Sequence, residues 1–110
     1  MTTILLSHPI CVEHDPGAQH PESTDRLRAV LKTLEAAEFN YLERREAPIA
    51  DLEAIKRVHD PDYVDAVLDA VPDSGTVHLD PDTALSPVSG EAALRAAGAA
   101  CAAVDAVMSG

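Results

Sequence analysis

The spacing of apolar positions changes several times along the chain, and each change marks an element. Residues 2–7 contain three consecutive aliphatics, Ile4, Leu5 and Leu6, and this run without alternation predicts a strand covered on both faces, as in a parallel sheet. From His8 to Ser23 the chain carries Pro9, Pro16, Gly17 and Pro21 with three histidines, which predicts an irregular loop of the kind that often carries function. Leu27, Val30, Leu31 and Leu34 then recur at helical spacing, with Ser23 or Thr24 as cap and Asp25 in the first turn, so an amphipathic helix is expected over residues 24–37. A short, charged strand over 41–45 follows, closed by Pro48.

Asp51 can cap a helix with Leu52, Ile55 and Val58 on one face. Asp60-Pro61 restarts a second helix, with proline in its favoured first position and Tyr63, Val64, Val67, Leu68 and Val71 as its stripe. Residues 72–87 are punctuated by Gly75, Asp80-Pro81 and Ser86-Pro87, a second long loop around one short strand at 76–79. Ser89 is the expected cap of a last helix reaching Gly110. That helix holds Ala92, Ala93, Ala96, Ala97, Gly98, Ala99 and Ala100, leaving little bulk on any face. A helix apolar on nearly every side has to be buried on several, and the few other elements offer too little surface to cover it. The pattern asks for more protein.

Composition sharpens this picture. A length of 110 residues allows one domain at most. Hydrophobic residues make up 46% of the chain, yet there is one Phe, two Tyr and no Trp, so any core must be aliphatic and alanine-rich. The formal charge of -11 sets up a field that repels phosphate backbones and anionic lipid headgroups, and it argues against nucleic-acid and membrane partners. A cationic amine would be attracted, although the same acidity also serves solubility. Cys11 and Cys101 stand far apart in no paired framework and read as free thiols in a reducing compartment. The opening residues lack a basic region and a long apolar run, and Arg95 and Asp105 interrupt the last apolar stretch, so a soluble, cytoplasmic protein is expected.

Three constellations could carry chemistry. His8, Cys11, His14 and His20 form His-x2-Cys-x2-His-x5-His in one loop, all of ligand types zinc prefers, which makes a small zinc-binding domain one reading. The spacing matches no familiar finger, and structural roles are the expectation. His59-Asp60-Pro61-Asp62-Tyr63 places an imidazole beside carboxylates, but a capping aspartate at a helix junction accounts for every residue there. Asp80, Asp82 and Thr83 could accept hydrogen bonds from a substrate amide or ammonium at a pocket mouth. Their composition is equally that of an Asx turn.

Taken in order, these segments resemble the histone deacetylase family, especially its bacterial class II-like branch with the acetylpolyamine amidohydrolases. The first strand with His8-Pro9, then His14-Asp15 and His20-Pro21-Glu22 leading to Arg26-Leu27, is similar to the family's first strand, first active-site loop and first helix. Val58-His59-Asp60 with Tyr63-Val64 resembles its next landmark. The stretch from Leu79-Asp80-Pro81-Asp82-Thr83 through Ser86-Pro87 and Ser89 to Leu94-Arg95 resembles the second active-site loop and the helix after it. Thr24 stands where the family usually has proline.

The resemblance implies an α/β chain, the N-terminal part of an arginase-like αβα three-layer fold with a mostly parallel sheet, and residues 1–110 as an N-terminal fragment of a single deacetylase domain. It implies His20 and Pro21 lining the first loop near the pocket, Arg26 associated with an inner acetate channel, and Asp80 and Asp82 near the rim. It further implies zinc, held in the family by two Asp and one His, with a tandem His pair for proton transfer and a late tyrosine stabilising the oxyanion. None of these maps onto this sequence, which has no His-His and no Asp-x-His. The chain is therefore expected to bind an acetylated amine, acetyl-lysine or an acetylpolyamine, as part of an enzyme and to be inactive alone. The other reading is a non-enzymatic interaction module that self-associates through its alanine-rich helix.

Overall fold

The computed structural model describes residues 2–110. Strand β1 (Ile4–Ser7) pairs in parallel with β2 (Glu43–Glu46), Ile4 opposite Glu43 and Ser7 opposite Glu46. A 3-10 turn at Pro9–Val12 follows β1, begun by His8, whose Nδ1 accepts from the Ile10 N–H at 3.0 Å. Helices α1 (Thr24–Thr33), α2 (Leu52–Lys56) and α3 (Pro61–Asp69) come next. An antiparallel hairpin of β3 (Val77–Asp80) and β4 (Thr83–Leu85) leads into the long helix α4 (Ser89–Ser109).

Caps set most helix starts where the sequence places them. The Ser23 Oγ accepts from the Arg26 N–H, Asp51 Oδ1 from Glu53 N–H, and Asp60 Oδ1 from Asp62 and Tyr63 N–H. Asp60→Ala is expected to cost about 1 kcal/mol, the usual worth of an N-cap, read as a lower urea midpoint with an unchanged slope. Lys56 on α2 and Asp65 on α3 are bridged at 2.9 Å, holding the helix pair together.

Three expectations need correction. Helix α1 ends at Thr33, with Leu34 as C-cap, instead of running to residue 37. The freed Leu34 carbonyl accepts from the Arg44 guanidinium on β2, so a tertiary contact stops the helix there. The second loop contains a strand that its composition conceals, β4, whose Ala84 and Leu85 are buried. Ser89 is the first helical residue and not the cap: Val88 holds the cap position without a side-chain hydrogen bond, while Ser89 Oγ accepts from the Ser86 N–H at 2.8 Å.

Helix α4 organises the remainder. It packs on β1 and on the turn at Pro9–Val12. At Gly98 its backbone meets the segment after β2, where Ala50 N–H donates to the Leu94 carbonyl at 3.0 Å and Arg95 Nη1 to the Ala47 carbonyl at 3.0 Å. Ala47, Ala50, Val64, Ala84, Leu85 and Ala92 form the buried apolar core, an aliphatic and alanine-rich one as composition requires. The C-terminal half of α4 is left uncovered, with Val107 79% and Met108 80% exposed. By length and composition α4 could cross a membrane, and only 11% of its apolar window is buried. Gly98 and Arg95 nevertheless tie its first half to the rest of the fold.

Candidate functional site

The loop after β1, the β3–β4 hairpin and the first half of α4 border an open cavity of about 390 Å³, lined by Cys11, His14, His20, Glu22, Asp82 and Ser89 among others. Two hydrogen-bonded chains join the loop to the opposite wall. In the first, His20 Nδ1 accepts from the Glu22 N–H at 3.0 Å while Nε2 lies 2.7 Å from the Asp82 carbonyl oxygen. A carbonyl can only accept, so Nε2 carries the proton and the ring is the neutral Nε2–H tautomer. This bond clasps the first loop to the tip of the hairpin across 62 residues of sequence.

The second chain runs through two buried hydroxyls, Ser86 (6% exposed) and Ser89 (4%). Ser86 Oγ accepts from the Asp15 N–H at 3.3 Å and stands 3.1 Å from Ser89 Oγ, which in turn is 2.6 Å from His14 Nδ1. One orientation uses both hydroxyl protons: Ser86 O–H donates to Ser89 Oγ, and Ser89 O–H donates to His14 Nδ1. The reverse order leaves the Ser86 proton without an acceptor in a buried place, which is costly. His14 Nδ1 is therefore an acceptor, and its Nε2–H remains available at the cavity wall.

The residues singled out from sequence divide in two. His20 and Asp82 line the cavity and touch each other. Asp80 does not line it; its Oδ1 accepts from the Asp82 N–H at 2.8 Å, forming the Asx turn that closes the hairpin. Pro21 is exposed and Arg26 pairs with Glu22 at 3.0 Å on the surface, outside the cavity lining. Sequence reading missed Ser86 and Ser89 as the supports of His14. Their spacing of three residues at a helix start was the available signal, since a residue there can reach back to the backbone N–H before it.

The histidine- and cysteine-rich loop does not assemble as a metal site. His8 turns to Glu46 at 3.4 Å, Cys11 Sγ lies 4.0 Å from the Ala92 carbonyl, and His14 and His20 are held by separate walls. No group of three His, Cys, Asp or Glu side chains among the described residues is arranged to hold a metal ion. Burial pushes the Cys11 thiol pKa up, against a smaller lowering from Arg95, whereas Cys101 is exposed on α4. An alkylating reagent at mildly alkaline pH is expected to consume Cys101 about tenfold faster than Cys11, measured by mass spectrometry of quenched samples.

Comparison with known proteins gives a consistent set of likenesses. Residues 20–110 match the family model described as histone deacetylase domain. The histone deacetylase-like amidohydrolase of Pseudomonas aeruginosa is 35% identical over 100 residues, covering 90% of this chain and 26% of that protein. The type-2 histone deacetylase 2 of Dictyostelium discoideum is 28% identical over 96% of this chain and 8% of its own length. The crystal structure of the HDA15 HD domain superposes with a TM-score of 0.77 at 24% identity, over 90% of this chain and 30% of that domain. This last likeness is one of fold, the arginase-like arrangement of helices around a parallel sheet. The chain thus spans less than a third of each of these relatives.

Proposed function

The chain belongs to the histone deacetylase family, and from that footing we propose that it forms one wall of the substrate pocket of a zinc-dependent deacetylase acting on the acetyl amide of acetyl-lysine or an acetylated polyamine. The observation that carries this reading is the His20 to Asp82 clasp, which sets the two loops that resemble the family's active-site loops against each other around one cavity. His20 and Asp82 line it, Pro21 follows His20 on the exposed side of the loop, and Asp80 holds the hairpin turn under Asp82. Arg26, in the first turn of α1 and outside the cavity lining, is in this reading the counterpart of the family's channel arginine.

Zinc supplies such a reaction with a water of lowered pKa and a polarised carbonyl. The described residues do not fit it: His20 has both ring nitrogens engaged by Glu22 and Asp82, His14 has Nδ1 engaged by Ser89, and the Glu22 carboxylate pairs with Arg26. The metal and the tandem histidines belong, in this reading, to sequence these 110 residues do not contain. What this chain contributes is placement: the Nε2–H of His14, the loop clasp and the acidic hairpin tip, which suits an ammonium-bearing substrate. The net charge of -11 and the two free thiols support a cytoplasmic setting and an amine ligand over nucleic acid or lipid.

The test is a chimera in which this chain replaces the matched region of the Pseudomonas relative. Release of acetate from acetyl-lysine peptide or acetylputrescine, abolished by a zinc chelator, is the expected result, with no turnover by the 110 residues alone. A folded, zinc-loaded chimera that hydrolyses neither substrate overturns the reading. The uncovered half of α4 favours a second one, a module that binds another chain or itself; a monomer by light scattering at high concentration removes the self-association form of it.

A further inference from the structure

Residues 17–22 of the first loop are fastened to the opposite wall by one bond. Upstream, Asp15 N–H donates to Ser86 Oγ at 3.3 Å and His14 meets Ser89 Oγ at 2.6 Å; downstream, Ser23 caps α1. Between these anchors the bonds stay local: Gly17 N–H to Asp15 Oδ1, His20 N–H to the Gly17 carbonyl, and Glu22 with Arg26. Among the described residues, only His20 Nε2–H carries the stretch across to the hairpin tip, where the Asp82 carbonyl accepts it at 2.7 Å.

That bond requires a neutral ring. His20 Nδ1 accepts from the Glu22 N–H at 3.0 Å, and a backbone N–H has no lone pair with which to accept in return. A second proton on the imidazole goes to Nδ1, where it meets that N–H donor to donor. The ring then has to turn, and Nε2 leaves the Asp82 carbonyl. His20 is half-buried, so water and protons reach it. Around it on the cavity wall stand the Glu22 and Asp82 carboxylates, the His14 imidazole and the Cys11 thiol, while α1 and α4 contribute Leu27, Ser89 and alanines, none of them charged. Arg26 is paired with Glu22 at 3.0 Å. The two carboxylates offer the turned, charged ring a partner.

The other two histidines of the loop lack this combination. His8 Nδ1 also accepts from a backbone N–H, that of Ile10 at 3.0 Å, but its Nε2 faces the Glu46 carboxylate at 3.4 Å and the turn keeps its own Cys11 N–H to His8 carbonyl bond. His14 Nδ1 meets a hydroxyl, which can rotate and accept where an N–H cannot, so a proton there weakens the tie without reversing it. We propose that His20 is a proton-operated latch on the cavity. Neutral, it fastens residues 17–22 to the hairpin; charged, it releases them as a flap hinged at the Asp15 and Ser23 anchors, and the cavity mouth widens between loop and hairpin. The latch goes beyond the proposed activity and requires neither zinc nor turnover.

Magnetic resonance of the 110-residue chain tests it, titrated from about pH 8 to about pH 5.5 across the range in which imidazoles change charge. Three signals are followed: the Overhauser contact between the His20 ring and the Asp82 and Thr83 backbone, the protection of the Glu22 amide relative to its intrinsic exchange rate, and the protection of the α4 amides. At the alkaline end the contact should be present and Glu22 protected. On acidification the contact should vanish and Glu22 protection fall about tenfold, both following the His20 ring shifts, while α4 keeps its protection. In His20→Asn the side-chain oxygen can take the Glu22 N–H as an Asx turn but gains no proton, so Glu22 protection should no longer respond to pH. His8→Asn should leave the His20 response intact. The proposal is overturned by a contact that is absent at the alkaline end or survives titration of the ring, by a change that tracks His8 or His14 instead, or by a pH response that persists in His20→Asn. Loss of α4 protection in step with the contact overturns it as well, because the chain is then unfolding. The titration of the parent chain decides by itself should the asparagine variant fail to fold.

Discussion

Gly98→Ala is expected to destabilise the fold by about 3 kcal/mol, the upper range for forcing an extra carbon into a packed place. Helix propensity alone would give the opposite sign, since alanine is favoured over glycine in a helix interior by about 1 kcal/mol. Packing decides. A Cβ at residue 98 would meet the Pro48 carbonyl oxygen, come within 2.7 Å of its carbon and lie 2.9 Å from the Ala50 nitrogen. All three are backbone atoms, fixed by Ala50 N–H to Leu94 carbonyl and Arg95 to Ala47 carbonyl bonds, so nothing can swing aside. Helix α4 would have to lift from the 47–50 segment and break those bonds.

Gly90 supplies the control on the same helix. Its added Cβ would meet side-chain atoms only, Val71 Cγ2 at 3.1 Å and Leu68 Cδ2 at 3.8 Å, which can give way, so Gly90→Ala should fall within about 1 kcal/mol of the parent. Urea unfolding of both variants at equal protein concentration checks the contrast. Equal midpoints would mean that α4 is not held against the 47–50 segment.

Gly98 shows how much of this fold could be read in the sequence. The alanine-rich run announced little bulk on any face and too little cover, and α4 shows the consequence of each: tight backbone contact at Gly98 and a bare C-terminal half. Local signals also placed the capped starts of α1, α2 and α3, because an Asp or Ser before an apolar stripe acts on its own next few residues. What local signals do not contain is the partner across the chain. Arg44 ends α1 early by taking the Leu34 carbonyl, ten residues away, and β4 is a strand because β3 pairs with it, not because Thr-Ala-Leu demands it.

The same division runs through the site. His20 and Asp82 were visible as candidates, but their contact is through a backbone carbonyl that no side-chain pattern encodes. Asp80 was readable as a turn former and does that work. The four potential zinc ligands in the first loop share a sequence neighbourhood while their side chains take four different partners, so clustering in sequence did not become clustering in space.

Ser89→Ala should be the second costly substitution, at about 3 kcal/mol, although it removes one oxygen and no charge. Ser89 Oγ is the common partner of the Ser86 N–H at 2.8 Å, the Ser86 hydroxyl at 3.1 Å and His14 Nδ1 at 2.6 Å. Deleting it strands two buried donors on Ser86 and an acceptor on His14, and each stranded buried group costs about 1–3 kcal/mol. Water entering from the cavity can rescue the imidazole, which is only half-buried, so the sum stays near the low end. Ser86→Ala strands less: the Asp15 N–H lies near the surface, the Ser86 N–H keeps Ser89, and the expected loss is about 1 kcal/mol. With Ser86 already alanine, Ser89→Ala no longer strands the Ser86 hydroxyl, so the double variant should lose about 1 kcal/mol less than the two singles added. Ring nitrogen shifts of His14 supply an independent reading, because removal of the Ser89 donor ends the preference for protonation at Nε2. If the two single variants unfold at the same midpoint and the His14 shifts do not move, the hydroxyl chain does not hold the first loop. The cavity wall would then depend on the His20 clasp alone.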